Sequence, residues 1–91
     1  MLLGDLIARF EDETLASETL FSLGDLTLTA RVVAHAANNN MSAGELAVQA
    51  VGQFVNGAGD EEWLSLIGKM SRAEDPGEVF LRRALLNAVS A

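Results

Sequence analysis

Between Arg31 and Asp60 a single residue, Glu45, carries a formal charge. Apolar residues recur through this stretch three and four positions apart, the spacing of one helix face, on either side of the triplet Asn38-Asn39-Asn40. The pattern predicts an apolar helical hairpin, with helices over about 26–38 and 42–55, and the more charged ends of the chain folded over it. In the first helix, Leu26, Ala30, Val33 and Ala37 make the expected inner stripe, and Arg31, His35 and Asn38 fall opposite, beside Leu28. In the second, Leu46, Ala47, Ala50, Val51 and Phe54 form the apolar face. Val48, Gly52 and Val55 form a weaker strip behind it.

The flanking segments repeat the helical spacing with clear punctuation. Leu3, Leu6, Ile7 and Phe10 share a face, so a first helix runs from about Leu2 or Asp5 to Glu11. Continuing that face would put Thr14 and Ser17 in the apolar stripe, so a break is expected there, with Asp12 or Thr14 capping a second helix to Leu23; one long helix is the alternative. Gly-Asp steps at residues 4–5, 24–25 and 59–60 each precede an apolar run and predict Asp N-caps. Asn tolerates the left-handed conformation, so the Asn triplet should end the third helix, and Ser42 with Glu45 should open the fourth as a capping box. Asn56-Gly57-Ala58-Gly59 reads as a flexible turn. A fifth helix then carries Trp63, Leu66, Ile67 and Met70 on its buried face. Asp75-Pro76 opens a sixth, with Val79, Leu81, Leu85, Leu86 and Val89 inward and Phe80 and Ala84 on the other side, beside Arg83 and Asn87. No segment alternates with period two, so the expectation is a single all-α domain over 1–91, a compact bundle of five to six short helices.

Composition adds a reason to look for a partner. The chain has 91 residues, of which 49% are hydrophobic before its 8 glycines are counted. A domain this small has little interior in which to hide such a surplus, so some apolar surface should meet another protein, most simply a second copy in a two-fold dimer. The net charge of −7 disfavours phosphate backbones and anionic lipid surfaces, both of which reward clustered Lys and Arg. The third and fourth helices have the order of a helix-turn-helix, but the would-be recognition helix carries no Lys or Arg. The start of the chain lacks a basic region and no run has the length of a membrane span, which predicts a cytoplasmic protein.

Catalytic and cofactor chemistry find little to work with. There is no Cys and one His, His35, so neither a thiolate nucleophile nor a His-rich metal site is expected, and no cofactor is implied. The serines stand outside any nucleophile-elbow motif. Phe21-Ser22-Leu23-Gly24-Asp25-Leu26 resembles the segment before the attachment serine of acyl and peptidyl carrier proteins, over six residues. It departs from that pattern where the serine should stand, at Leu26.

Interaction remains as the expected activity: a small non-catalytic module, either an adaptor or self-associating. The candidate protein interface is Val48, Gly52 and Val55 on the fourth helix with Phe80, Arg83 and Ala84 on the sixth. A crowded six-helix fold would instead bury the apolar members internally. Arg83 beside Phe80 would suit an interface anchor, and Arg82 would pair with Glu78 one turn away. The alternative function is a small-molecule binder or minor enzyme whose site forms only between subunits.

Overall fold

A computed structural model describes residues 3–90. It contains α1 (Leu3–Arg9), α2 (Glu13–Ser22), α3 (Leu26–Asn38), α4 (Ala43–Gly57), α5 (Asp60–Ser71) and α6 (Pro76–Val89), with no strand among the described residues. The all-α bundle is the architecture the spacing predicts. Leu2, the earlier of the two expected starts of the first helix, lies outside the described residues.

The helix starts follow from capping chemistry. After Phe10 the chain breaks as expected, and Asp12 caps α2 by accepting from the N–H groups of Thr14 at 2.8 Å and Leu15 at 3.1 Å. Ser42 and Glu45 form the full capping box of α4, each side chain accepting from the other's backbone N–H at 3.0 Å. Asp75 caps α6, with Pro76 at its first position. Of the three Gly-Asp steps only the second works as expected, with Asp25 accepting from Leu28 N–H at 3.0 Å. Asp5 lies inside α1, and at the third step Gly59 is the cap and Asp60 the first helical residue.

The end of α3 is equally specific. Asn40 takes the left-handed conformation, φ 57°. Its N–H then reaches the carbonyl of Ala37 at 3.2 Å, and that of Met41 reaches Ala36 at 2.9 Å. This paired closure is a Schellman motif, and it satisfies carbonyls that a helix end would otherwise orphan. The link after α4 is shorter than expected, because Asn56 and Gly57 are still helical.

Helices α4 and α6 share the centre. α6 packs against α2, α3, α4 and α5, and α4 also touches α2 and α3. Between them lies an aromatic cluster. Phe80 sits 6.2 Å from Phe10, 6.0 Å from Phe54 and 6.1 Å from Trp63, and Trp63 meets Phe54 edge-on at 5.2 Å. Burying each such ring removes apolar surface worth roughly 1.5–3 kcal/mol from water. A helix wrapped on this many sides buries a wide arc, which corrects the expected orientation of α6. Phe80, Leu81, Ala84 and Leu85 all have 0% exposure, whereas Leu86 faces solvent and Val79 is half-buried.

Helix α3 also turns a different face inward. Leu28, Val32 and Ala36 enter the core. Leu26 is 85% exposed and Val33 45% exposed, and Ala30 and Ala37 are exposed with them. At about 100° per residue this is a rotation of roughly a third of a turn from the expected stripe. Two contacts with α6 hold the observed setting: Arg31 donates to the carbonyl of Val89 at 3.0 Å, and Asp25 pairs with Arg82 at 2.9 Å. Arg82 is therefore not committed to Glu78, whose carboxylate instead accepts from Ser22 Oγ at 3.5 Å. On α5, Leu66 and Met70 are buried as expected, Trp63 is half-buried and Ile67 is exposed.

Candidate interaction surfaces

The six residues singled out as an interface separate into two environments. Phe80 and Ala84 belong to the core with no exposed surface, so neither can touch a partner of the folded chain. Val48 and Val55 lie at the edge of the buried arc of α4, half-buried and packed against the core. Gly52 between them is exposed, with nothing within 4 Å of where a Cβ would stand. That strip leaves little apolar area free. Arg83 is half-buried, paired with Glu62 of α5 and lying over the Phe54 ring at 5.7 Å from its centroid. It is anchored within its own chain.

A continuous apolar stripe faces solvent on the outer face of α3: Leu26, Ala30, Val33 and Ala37. No acidic residue occurs from 26 to 44, although the chain has 13 acids. The outer stripe and the inner one interleave along the same helix, so periodicity alone supports both. The signal available in the sequence was the sheer apolar content of α3, which exceeds what one buried face needs.

A second surface lies between α5 and α6. A cleft of about 120 Å³ is lined by Glu62, Ser65, Leu66, Lys69, Val79, Arg82, Arg83 and Leu86. Its apolar floor is Leu66, Val79 and Leu86. Its cations number three of the six in the chain. Arg82 is held by Asp25, with a further contact to the carbonyl of Leu23 at 3.4 Å, and Arg83 is held by Glu62. Lys69 forms no ion pair among the described residues. The spacing of Glu62 and Lys69, two turns apart on one side of α5, and the adjacent Arg82-Arg83 were the sequence signals for this cleft.

Two other hollows are larger. One, of about 460 Å³, runs between α1 and α5 along Leu3, Ile67, Met70 and Pro76 and contains no charged side chain. The other, of about 350 Å³, lies beside the starts of α2 and α4 and is lined by Glu13, Glu18 and small residues. Among the described residues no three His, Asp or Glu side chains come together as a metal site, and no helix is long and apolar enough to cross a membrane. Comparison of the chain with protein-family models, curated proteins and solved structures finds no match.

Proposed function

We propose that the chain is a small, non-catalytic protein-interaction module that associates with a second copy of itself through the outer face of α3. The observation that carries this reading is the solvent-facing stripe of Leu26, Ala30, Val33 and Ala37. Two copies of a chain with net charge −7 repel each other. A two-fold contact through α3 lessens that cost, because it brings together the acid-free segment from each copy. The alanines Ala30 and Ala37 allow the paired helix axes to approach closely, and Leu26 and Val33 supply the apolar area that contact removes from water. In this reading the module works in the cytoplasm as an adaptor or self-associating unit. With one His and no Cys, its side chains carry binding better than catalysis.

Light scattering on a sizing column at graded concentrations tests the proposal. The expected result is a dimer that dissociates on dilution, and a monomer at all concentrations for Leu26→Glu/Val33→Glu with the helical circular dichroism unchanged. A wild-type chain that stays monomeric at the highest concentration, or a variant that dimerises as well as wild type, overturns it.

A further inference from the structure

The cleft between α5 and α6 is a different kind of surface from the α3 face, since three of its eight lining residues are cationic. We infer that it docks one apolar side chain from an acidic helical segment of a partner protein, with Lys69 meeting a carboxylate one helical turn from that anchor.

Size decides against a small-molecule ligand. Pockets that bury drug-sized compounds span roughly 300–1,000 Å³, whereas this cleft offers about 120 Å³. A dry cavity of about 150 Å³ holds a benzene ring, so the available space suits one aliphatic side chain resting on Leu66, Val79 and Leu86. Amphipathic helices read apolar grooves through anchors spaced at i, i+3, i+4 and i+7, and this cleft has room for one such anchor.

Charge then selects the partner. The lining holds three cations and one carboxylate in a chain whose net charge is −7. Both arginines are already held in place, Arg82 by Asp25 and Arg83 by Glu62 and the Phe54 ring. A guanidinium has five N–H donors, so each retains donors for an incoming acid while losing little conformational freedom on binding. Lys69 adds a charge that no described carboxylate neutralises. A phosphate backbone would meet the same cations but then the acidic remainder of the surface, which an anchored peptide segment avoids.

The test is an NMR titration of the full chain with a short acidic amphipathic helical peptide bearing Leu and Glu one turn apart, alongside the same peptide with Lys in place of Glu. The expected result is saturable shifts centred on Ser65, Lys69, Val79 and Leu86 for the acidic peptide only. Lys69→Glu should weaken binding about tenfold or more, a readily measured change in Kd, and Lys69→Gln should weaken it less. Lys69 is exposed and forms no ion pair among the described residues, so both variants should keep the wild-type spectrum elsewhere. The inference fails if the basic peptide binds equally, if the Lys69 variants bind like wild type, or if the shifts map to another surface. It also fails if the cleft signals move with the concentration of the chain alone, since the occupant would then be a second copy. The α3 proposal is read from molecular mass and this one from shift mapping, so either can fail without the other.

Discussion

Gly44, in the first turn of α4, stands directly against the backbone of Glu13 at the start of α2. A Cβ at Gly44 would lie 2.7 Å from the Glu13 carbonyl oxygen and 3.4 Å from its carbon. The obstructing atom is backbone, so it cannot swing away as a flexible side chain would. Gly44→Ala should therefore destabilise the fold by about 1–3 kcal/mol, the usual cost of forcing a methyl group into a packed contact. Gly52→Ala, eight residues along the same helix with open space above it, should stabilise by about 0.5–1 kcal/mol, because Ala costs less backbone entropy in a helix. Urea unfolding of the two variants checks the prediction through their opposite signs.

Phe80→Ala should cost about 3–5 kcal/mol, the range for emptying an aromatic site in a core. Native domains have roughly 5–15 kcal/mol in total, so the variant should lose a large fraction of its stability. An interface role for Phe80 would leave the stability of a monomer untouched. Chemical denaturation followed by Trp63 fluorescence measures the difference, since Trp63 lies 6.1 Å from the Phe80 ring.

Asp25 has two tasks, capping α3 through Oδ1 and pairing with Arg82 through Oδ2. Asp25→Asn keeps the cap and removes the charge. The pair is partly open to solvent, with side-chain exposures of 42% and 32%, so this change should cost under about 1 kcal/mol and the cost should shrink in high salt. Asp25→Ala loses the cap as well and should cost about 0.5–2 kcal/mol more. Thermal melts at low and high ionic strength separate the two contributions.

Asn40 is the one non-glycine residue with positive φ among the described residues. Asn40→Gly should raise stability by up to about 1 kcal/mol, because it removes the Cβ that strains the left-handed region, while Asn40→Ala keeps the Cβ, loses the local polar side chain that eases the conformation, and should lower stability by under about 1 kcal/mol. The neighbouring Asn39 has φ −111°, so Asn39→Ala should lose only its side-chain bond to the His35 carbonyl. Melting temperatures of the three variants give the ranking.

These contrasts also show which parts of the fold were legible in the sequence. The caps at Asp12, Ser42 and Asp75 were legible because each acts within three residues of itself. The buried face of α4 was legible because one stripe there is far more apolar than the strip behind it. The rotation of α3 was not, since Leu26-Ala30-Val33-Ala37 and Leu28-Val32-Ala36 both follow a helical period. Its setting depends on Arg31 and Asp25 reaching residues 58 and 57 positions away, which no local pattern encodes. Phe80 and Ala84 were placed outward for a related reason. A helix enclosed on several sides keeps only a narrow exposed strip, here Leu86 and Asn87, and only its neighbours reveal that enclosure. The α5–α6 cleft had the weakest signal, three cations spread over fifteen positions.

The place of α6 at the centre has a consequence for how the chain is made. It is the sixth helix in order, yet α2, α3, α4 and α5 all pack on it. During synthesis the earlier helices emerge with their apolar faces lacking the surface that later covers them. At about 5–20 residues per second, on the order of 4–15 s separates the start of α2 from the end of α6. Through that interval the nascent chain holds exposed the surface that Phe80, Leu81 and Leu85 will later cover. Closure of the core thus waits for α6, and the uncovered faces of α2 to α5 are what a holdase chaperone would meet in the meantime.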